Sequence, residues 1–525
     1  MGNAINAPSR AKSAVRAELE IGPAPLRIED VVAVAEGRGS VALSRDPAHQ
    51  RRIRAGADFL ERLLARGAQV YGVNTGYGDS CTTVIPPELV AELPAHLVRF
   101  HGCGLGEYLT PEATLAVLVA RLNSLARGYS GVRPLLLDQL ARLINHGVLP
   151  LIPSEGSVGA SGDLTPLSYV AAVMMGEREV LYRGERRPAS EVLSTLDMRP
   201  VALAPKEALA VMNGTAVMTG LACLAWSRAE YLSRLCCRLT AMASVALGGN
   251  RGHFDPRLFA VKPHAGQGEA AAWIHGDIAP APTDGEPGRL QDRYSIRCAP
   301  HVIGVLRDAL GWMRRDIENE LNSANDNPII DGEEEWVLHG GHFYGGHIAF
   351  AMDGMKNAVA NLADLMDRQL ALLVDGKFNN GLPQNLSGAT GPRAAINHGL
   401  KAVQIGASAW TAEALKLTMP ASVFSRSTEC HNQDKVSMGT IAARDCLRVL
   451  ELTEQVAVAL VVAVRQAVEL RRRQRGGVPG LGGRLEDFER AVAAELPPVE
   501  EDRPLEGELR GLLGRVRERH WALYA

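Results

Sequence analysis

Apolar residues recur at the spacing of one helix face over most of the chain after residue 110. One such stripe is Leu115, Leu118, Val119, Leu122 and Leu125. Thr110 and Pro111 precede it as a typical helix start, and Gly128 follows it where a helix-ending glycine belongs. A second stripe stops at Gly147, and residues 440–473 are numerous enough to cross a whole bundle. The pattern predicts a bundle of long helices.

Strand signals are few and local, and the clearest lie at residues 69–73 and 180–182. The predicted fold class is therefore mainly α, with a small mixed region before the helices. The predicted segments are a flexible tail at 1–20, an N-terminal mixed region with a mobile lid loop at 21–110, a central helical bundle at 111–475, and a C-terminal loop and helices at 476–525.

Composition excludes several functional classes. A net charge of −3 over 525 residues leaves no basic surface for nucleic acid. The eight cysteines lack zinc-site spacing, and the N-terminus lacks an apolar signal segment, so we expect a cytoplasmic protein with reduced thiols. The longest apolar run, residues 456–464, is far shorter than the roughly 20 residues that cross a bilayer, so no membrane partner is expected.

Ala160, Ser161 and Gly162 have the composition of a segment that can make its own electrophile. The amide nitrogen of Gly162 would attack the carbonyl carbon of Ala160, and loss of two waters would leave a five-membered ring. Glycine permits the tight turn, alanine leaves the carbonyl accessible, and the serine hydroxyl is eliminated to give an exocyclic methylidene group. An isolated Ala-Ser-Gly tripeptide, however, more often marks an ordinary turn.

The longer run at residues 156–168, GSVGASGDLTPLS, resembles the cofactor segment of the histidine and phenylalanine/tyrosine ammonia-lyase family. Further motifs follow in the family's order across roughly residues 65–445. The resemblance implies a long-helix bundle of the ammonia-lyase type and a carbon–nitrogen lyase that acts on a small aromatic amino acid. It also implies the cofactor 4-methylidene-imidazol-5-one (MIO), no metal or nucleotide, and a homotetramer whose active sites combine residues of more than one chain.

The resemblance also assigns roles to individual residues. Tyr71, which opens the loop YGVNTGYG, would remove the β-proton of the substrate. A phenol has an ordinary pKa near 10, so we expect donors or helix ends to lower the pKa of Tyr71. Asn213 would bond to the cofactor ring and to the substrate, although a turn amide is its common alternative. Phe343 would pack near the ring.

Three further predicted residues lie in the stretch QDRYSIR. By resemblance, Arg297 would bind the substrate carboxylate with help from Asn325, while the catalytic Tyr294 and the neighbouring Gln291 would flank the ring. If the stretch is helical, these residues lie near one helix face. A surface ion pair is the common alternative role of an arginine such as Arg297.

A zinc site is the alternative interpretation of His339, His342 and His347, which lie within nine residues of one another. The segment offers neither helical spacing nor a cysteine partner. It resembles instead the family segment that contains Phe343. No metal is expected.

The dyad Phe100–His101 and Gln433 bear on the substrate. By resemblance, the dyad contacts the aromatic ring, and Gln433 stands where histidine lyases have a glutamate that pairs with imidazole. Phe100 favours a benzenoid ring, whereas His101 could bond a phenol. The prediction is deamination of L-tyrosine to p-coumarate and ammonia, with L-phenylalanine as a further substrate. An aromatic 2,3-aminomutase or a histidine ammonia-lyase is the alternative.

Overall fold

The computed structural model describes residues 17–280 and 290–524, and these form two compact units. The first unit comprises the described chain up to Ser227, Arg314–Asp353 and Pro420–Arg444. The second comprises Arg228–Met313, Gly354–Met419 and the described chain from Asp445 onward. Because neither unit is one continuous stretch, each depends on contacts between residues that are distant in sequence.

Helices dominate both units. The helices of the first unit are Ile28–Ala35, Pro47–Ala65, Leu93–Phe100, Pro111–Leu125, Pro134–His146, Leu164–Met174, Ala189–Thr195 and Glu207–Met212. Those of the second are Pro256–Ala260, Ala265–Asp277, Tyr294–Arg297, Lys401–Lys416, Gly483–Glu495 and Glu506–Arg517. The longest helices have residues in both units: Ala216–Leu247, Ala299–Leu321, Gly346–Val374 and Gly439–Arg475. The mainly α fold class is confirmed.

Short strands of the first unit form small sheets. Ala17–Ile21 pairs in parallel with Gly39–Leu43, starting from the pair Ala17 and Gly39. The antiparallel pairs are Leu105–Tyr108 with Pro153–Glu155, Leu149–Pro150 with Glu179–Tyr182, Glu179–Tyr182 with Glu185–Pro188, and Ile329–Asp331 with Trp336–Leu338. No helix among the described residues is both long enough and apolar enough to cross a bilayer.

Several sequence predictions agree with these elements. The Thr110 hydroxyl accepts a hydrogen bond from the Ala113 amide at 3.2 Å, so it caps the predicted helix start. Gly147 ends its helix in the left-handed conformation, with φ of 64°. The predicted strand at 180–182 and the predicted long helix at 440–473 are both present as Glu179–Tyr182 and Gly439–Arg475.

Other predictions need correction. Residues 69–73 form a loop that leads into a turn instead of a strand, because the Val70 carbonyl accepts the amides of Val73 and Asn74. Val70 and Val73 are both buried in a cluster with Phe59, so their apolar character reflects packing of a turn. Residues 17–20, assigned to the flexible tail, belong to a strand, and residues 1–16 lie outside the described part of the chain. The proposed boundaries at 110 and 475 remain predictions.

Helix Pro111–Leu125 is buried on nearly all sides, from Ala113 to Leu125. Its position matters because it lies inside the unit that contains the Ala160–Gly162 segment. Helices Leu164–Met174, Ala216–Leu247 and Gly439–Arg475 all begin near that segment, as the contacts of Asp163 demonstrate below.

Candidate active site

A cavity of about 620 Å³ opens in the first unit. It is lined by Gln69, Tyr71, Thr75, Gly78, Cys81, Gly159, Ala160, Ser161, Asn327, His339, Gly340, Phe343, Tyr344, Asn432, Gln433, Asp434, Lys435 and Val436. Four segments that are remote in sequence therefore meet around Ala160 and Ser161. A cavity of this volume matches the size of sites for small molecules.

The Ala160–Gly162 segment is held in a tight left-handed turn. Ser161 has φ of 50° and Gly162 has φ of 80°, a region that disfavours side chains. The Ser161 carbonyl oxygen accepts hydrogen bonds from Asn213 Nδ2 at 2.7 Å and from the Gly214 amide at 3.1 Å. A β-carbon at Gly162 would overlap the Gly214 carbonyl, so only glycine fits there.

Asp163 anchors the end of this turn. Its buried carboxylate accepts the amides of Val217 and Met218, each at 3.0 Å, at the start of helix Ala216–Leu247. The hydroxyls of Ser157 and Thr440 also donate to it. Burial raises the pKa of Asp163 above its ordinary value, and the hydrogen bonds from these four donors oppose that shift only in part. The donors come from three parts of the chain, so they fix the turn relative to two helix starts.

Tyr71 lies in the cavity wall beside the ring of His339, at a centroid distance of 6.4 Å. Its phenol oxygen accepts a hydrogen bond from the Gly78 amide at 2.8 Å. Burial raises the pKa of Tyr71 above its ordinary value; the Gly78 amide lowers it and Glu429 raises it further. The expected lowering of this pKa is therefore not observed.

Glu429 ties the Tyr71 loop to a turn at residues 428–433. Its carboxylate accepts the Asp79 amide at 2.7 Å and Asn432 Nδ2 at 2.9 Å. Reciprocal backbone hydrogen bonds between Thr428 and Gln433 close the turn. Three consecutive residues, from Glu429 to His431, have positive φ. Gln433 Nε2 in turn donates to Ser161 Oγ at 3.3 Å, so this turn reaches the Ala160–Gly162 segment.

The predicted site residues divide into those near the cavity and those elsewhere. Tyr71, Ala160, Ser161, Phe343 and Gln433 line it. Two others contact the same segment: Gly162 follows Ser161, and Asn213 donates to the Ser161 carbonyl.

Asn325 is buried and does not line the cavity. Its Oδ1 accepts Arg121 Nη2 at 3.1 Å, and its Nδ2 donates to Ser323 at 3.1 Å. Asn327, two residues further on, lines the cavity instead. The expected substrate contact of Asn325 is therefore not part of the cavity lining.

Phe100 ends helix Leu93–Phe100, and His101 is its C-terminal cap. Neither residue is among those that line the cavity. The Phe100 ring is 60% exposed and contacts the His101 ring, with centroids 4.2 Å apart. His101 Nδ1 lies 3.1 Å from the Leu97 carbonyl, and burial lowers the pKa of His101. Because the Leu97 carbonyl can only accept, His101 Nδ1 carries the hydrogen of this bond.

Gln291, Tyr294 and Arg297 belong to the second unit. Gln291 precedes the short helix Tyr294–Arg297, so only the latter two residues share a helical turn. The Arg297 guanidinium lies 4.8 Å from the centre of the Tyr294 ring, and Tyr294 is 72% exposed. Among the described residues, the buried Arg297 Nε has no hydrogen-bond partner.

Sequence reasoning did not single out several cavity residues. Thr75 and Tyr344 lie within the segments of Tyr71 and Phe343, and Asn327, Asn432, Asp434 and Lys435 lie within two residues of Asn325 or Gln433. Their proximity to known motif positions was the available signal. Gln69 and Cys81 flank the Tyr71 loop and carried no signal of their own.

Residues 26–493 match the sequence model of the aromatic amino acid lyases. The chain is 37% identical over 498 residues to a histidine ammonia-lyase of Gloeobacter violaceus, across 94% of this chain and 95% of that one. This chain belongs to the aromatic amino acid lyase family. It is a carbon–nitrogen lyase of the ammonia-lyase type.

Solved structures of family members are similar to this lyase along its length. A tyrosine aminomutase of Streptomyces globisporus superposes with a TM-score of 0.89 at 31% identity, covering 96% of this chain and 97% of the other. A histidine ammonia-lyase of Trypanosoma cruzi gives 0.86 at 30% identity, covering 96% and 94%. The relatives thus differ in the reactions for which they are named, although they share the fold.

The residues of this lyase fit the MIO group that the family implies. The left-handed turn, the glycine that cannot carry a β-carbon and the two donors on the Ser161 carbonyl provide the local geometry for ring closure. Within residues 17–280 and 290–524, no group of three or more histidine, cysteine, aspartate or glutamate residues could hold a metal ion.

Proposed function

We propose that this lyase eliminates ammonia from an aromatic L-amino acid by means of an MIO group formed from Ala160, Ser161 and Gly162. One observation carries the proposal: the constrained turn at Ser161 opens into the same cavity as the Tyr71 hydroxyl. An electrophile for the amine and a base for the β-proton are the two groups that this elimination needs.

The ring would form by chemistry of the chain alone. The Gly162 nitrogen bonds to the Ala160 carbonyl carbon, whose oxygen leaves as water with the amide hydrogens of Gly162 and Ser161. The Ser161 hydroxyl leaves as a second water with the Ser161 α-hydrogen. Once formed, the MIO group supplies an electrophilic methylidene carbon for the substrate amine. Asn213 Nδ2 and the Gly214 amide would then donate to the ring carbonyl, because that oxygen derives from Ser161.

The phenolate form of Tyr71 would accept the β-proton of the substrate. Burial opposes the ionisation of Tyr71, and the hydrogen bond from the Gly78 amide favours it. Lys435 lines the same cavity and adds a positive charge to its wall. A base with a raised pKa is strong but scarcely populated at neutral pH, so its ionised fraction should limit the rate.

We therefore expect kcat/KM to rise with pH from about 7 to about 10 without reaching a plateau, since only the deprotonated phenol accepts a proton. The ordinary pKa of tyrosine is 10.0, and burial shifts that of Tyr71 upward. The measurement is a pH profile of kcat/KM, corrected for the ionisation of the substrate amine. Tyr71→Phe should abolish this dependence, and a plateau below about pH 9 would contradict it.

Different observations favour different aromatic substrates. The names of the sequence relatives favour L-histidine. Gln433 favours a benzenoid amino acid such as L-tyrosine over L-histidine, because its neutral amide in the cavity offers no carboxylate partner for an imidazole. We propose L-tyrosine first, with Gln433 as the supporting residue, since Phe100 and His101 do not line the cavity. L-Phenylalanine is proposed as a further substrate.

The test compares L-Tyr, L-Phe, L-His and L-Dopa with wild type and Gln433→Glu. The new carboxylate should raise the ratio of kcat/KM for histidine over tyrosine by roughly tenfold, through pairing with the imidazole. Gln69→Glu is the matched control, because it makes the same change of amide to carboxylate at another residue that lines the cavity. Urocanate as the fastest wild-type product would contradict the tyrosine proposal, and a β-amino acid would identify an aminomutase.

We also propose a cytoplasmic homotetramer whose copies complete one another's sites. Arg297 would bind the substrate carboxylate, with Tyr294 and Gln291 beside the ring. These residues belong to the second unit, and the exposed Tyr294 ring is available to another copy. The planar guanidinium of Arg297 suits a carboxylate, and its Nε has no hydrogen-bond partner among the described residues.

A further inference from the structure

A buried arginine lies next to the Asn213–Gly214 peptide and has no role in the mechanism above. Arg121 is in helix Pro111–Leu125, and its side chain is fully buried. Its Nη1 donates to the Asn213 carbonyl at 2.9 Å, and its Nη2 donates to Ser124 Oγ at 2.7 Å and to Asn325 Oδ1 at 3.1 Å. The guanidinium therefore binds a backbone carbonyl while two side chains fix its orientation.

Burying the positive charge of Arg121 costs free energy, because the charge loses its hydration. Burial lowers the pKa of Arg121 to about 10, while Asp326 and Asp163 raise it. The group is thus protonated at neutral pH, although Asp326 is itself paired with the buried Lys206 at 2.5 Å. Buried charges are weak contributors to net stability, and apolar residues often replace them without loss. A specific task for Arg121 would explain the presence of this charge.

The geometry of a single peptide group connects Arg121 to Ser161. The Asn213 carbonyl and the Gly214 amide belong to the same planar trans peptide, so they point in opposite directions. Arg121 holds the carbonyl end, and the amide end donates to the Ser161 carbonyl at 3.1 Å. A β-carbon on Gly214 would overlap both Arg121 and Asn325, which shows how closely these side chains approach the peptide.

The Ser161 carbonyl is conjugated with the nitrogen of Gly162, the atom that must form the new ring bond. Donors to this carbonyl withdraw electron density from the amide and make its N–H more acidic. A charged donor on the far side of the Asn213–Gly214 peptide polarises that peptide and strengthens its own donation. Both effects favour deprotonation of Gly162 and its attack on Ala160.

We propose that Arg121 is a positioning residue for cofactor formation: it orients the Asn213–Gly214 peptide so that its amide donates to Ser161 while the ring closes. This inference rests on the proposed function, because it concerns how the MIO group is made. Arg121 contacts neither the substrate cavity nor the reacting atoms and acts through the peptide.

The test is Arg121→Lys, which keeps the buried charge and loses the planar fork of donors. The readouts are the mass of the peptide that contains Ser161, lower by two waters after cyclisation, and the near-ultraviolet absorbance of the ring. We expect ring closure to slow by roughly ten- to a hundredfold, the range for one charge-assisted hydrogen bond. Circular dichroism and a thermal melt check that the variant folds.

Arg471→Lys is the matched control. Arg471 is also buried and donates to backbone carbonyls, those of Ala246 and Asn379, within the second unit. This variant should cyclise like wild type. Ser124→Ala is the milder second variant in case Arg121→Lys does not fold, since it removes one anchor of the guanidinium and leaves its charge. It should slow closure by roughly two- to fivefold.

The outcomes separate the two proposals. Wild-type protein without the loss of two waters would overturn the proposed function and this inference together. Wild-type rates of closure in folded Arg121→Lys or, failing that, in Ser124→Ala would overturn only this inference. Equal slowing of ring closure in Arg471→Lys would also overturn it, because the effect would then not be specific to Arg121.

Discussion

Ser161→Ala is expected to fold normally and to lose ammonia-lyase activity by roughly a thousandfold or more, as when a covalent catalyst is removed. Alanine has no hydroxyl to eliminate, so the methylidene group cannot form. The hydroxyl contributes little to folding, because its contact with Gln433 is a 3.3 Å hydrogen bond at a half-buried position. Its loss should cost no more than about 1 kcal/mol of unfolding free energy.

The measurements for this variant are turnover, near-ultraviolet absorbance, the peptide mass and a thermal melt. Ser80→Ala is the control, because it removes an exposed serine hydroxyl from the segment Gly78–Thr82. That variant should keep both absorbance and turnover. Full turnover of Ser161→Ala would remove the MIO hypothesis altogether.

Tyr71→Phe should separate catalysis from cofactor formation. We expect the ring absorbance to persist while kcat falls by roughly 10²- to 10⁴-fold, since the variant retains the electrophile and lacks the base. The Gly78 amide loses its acceptor, so a small decrease in melting temperature is also expected.

Tyr77→Phe is the matched control for this variant. Tyr77 lies in the same loop and is half-buried, but it is not among the cavity-lining residues. Its variant should retain most of the activity. Disappearance of the absorbance in Tyr71→Phe would instead assign Tyr71 to ring formation.

Periodicity predicted the long helices well, because they bury apolar stripes that are visible in sequence. It predicted Gly147 as a helix end correctly, since a left-handed cap requires a residue such as glycine. It failed at residues 69–73, where Val70 and Val73 supply apolar side chains to a packed turn. A short apolar run does not distinguish such a turn from a strand.

Likewise, the sequence predicted those site residues that lie in contiguous motifs and missed those that only the fold brings together. The Ala160–Gly162 segment and Tyr71 lie in contiguous motifs, so the sequence was enough to select them. Arg121 could not be selected, because a charged residue in an apolar stripe is normally assigned to the solvent face. Helix Pro111–Leu125 is buried almost all round, and only the fold brings Arg121 to Asn213.

The anchoring of Asp163 by Thr440 has a consequence for biosynthesis. Thr440 follows Asp163 by 277 positions, and Val217 and Met218 follow it by 54 and 55. All three partners are therefore translated after Asp163. A nascent polypeptide that carries Ala160, Ser161 and Gly162 therefore lacks the constraints that bend them. We expect the electrophile to arise only after translation has passed residue 440 and the unit has assembled, so that cellular thiols never meet it on an unfolded chain.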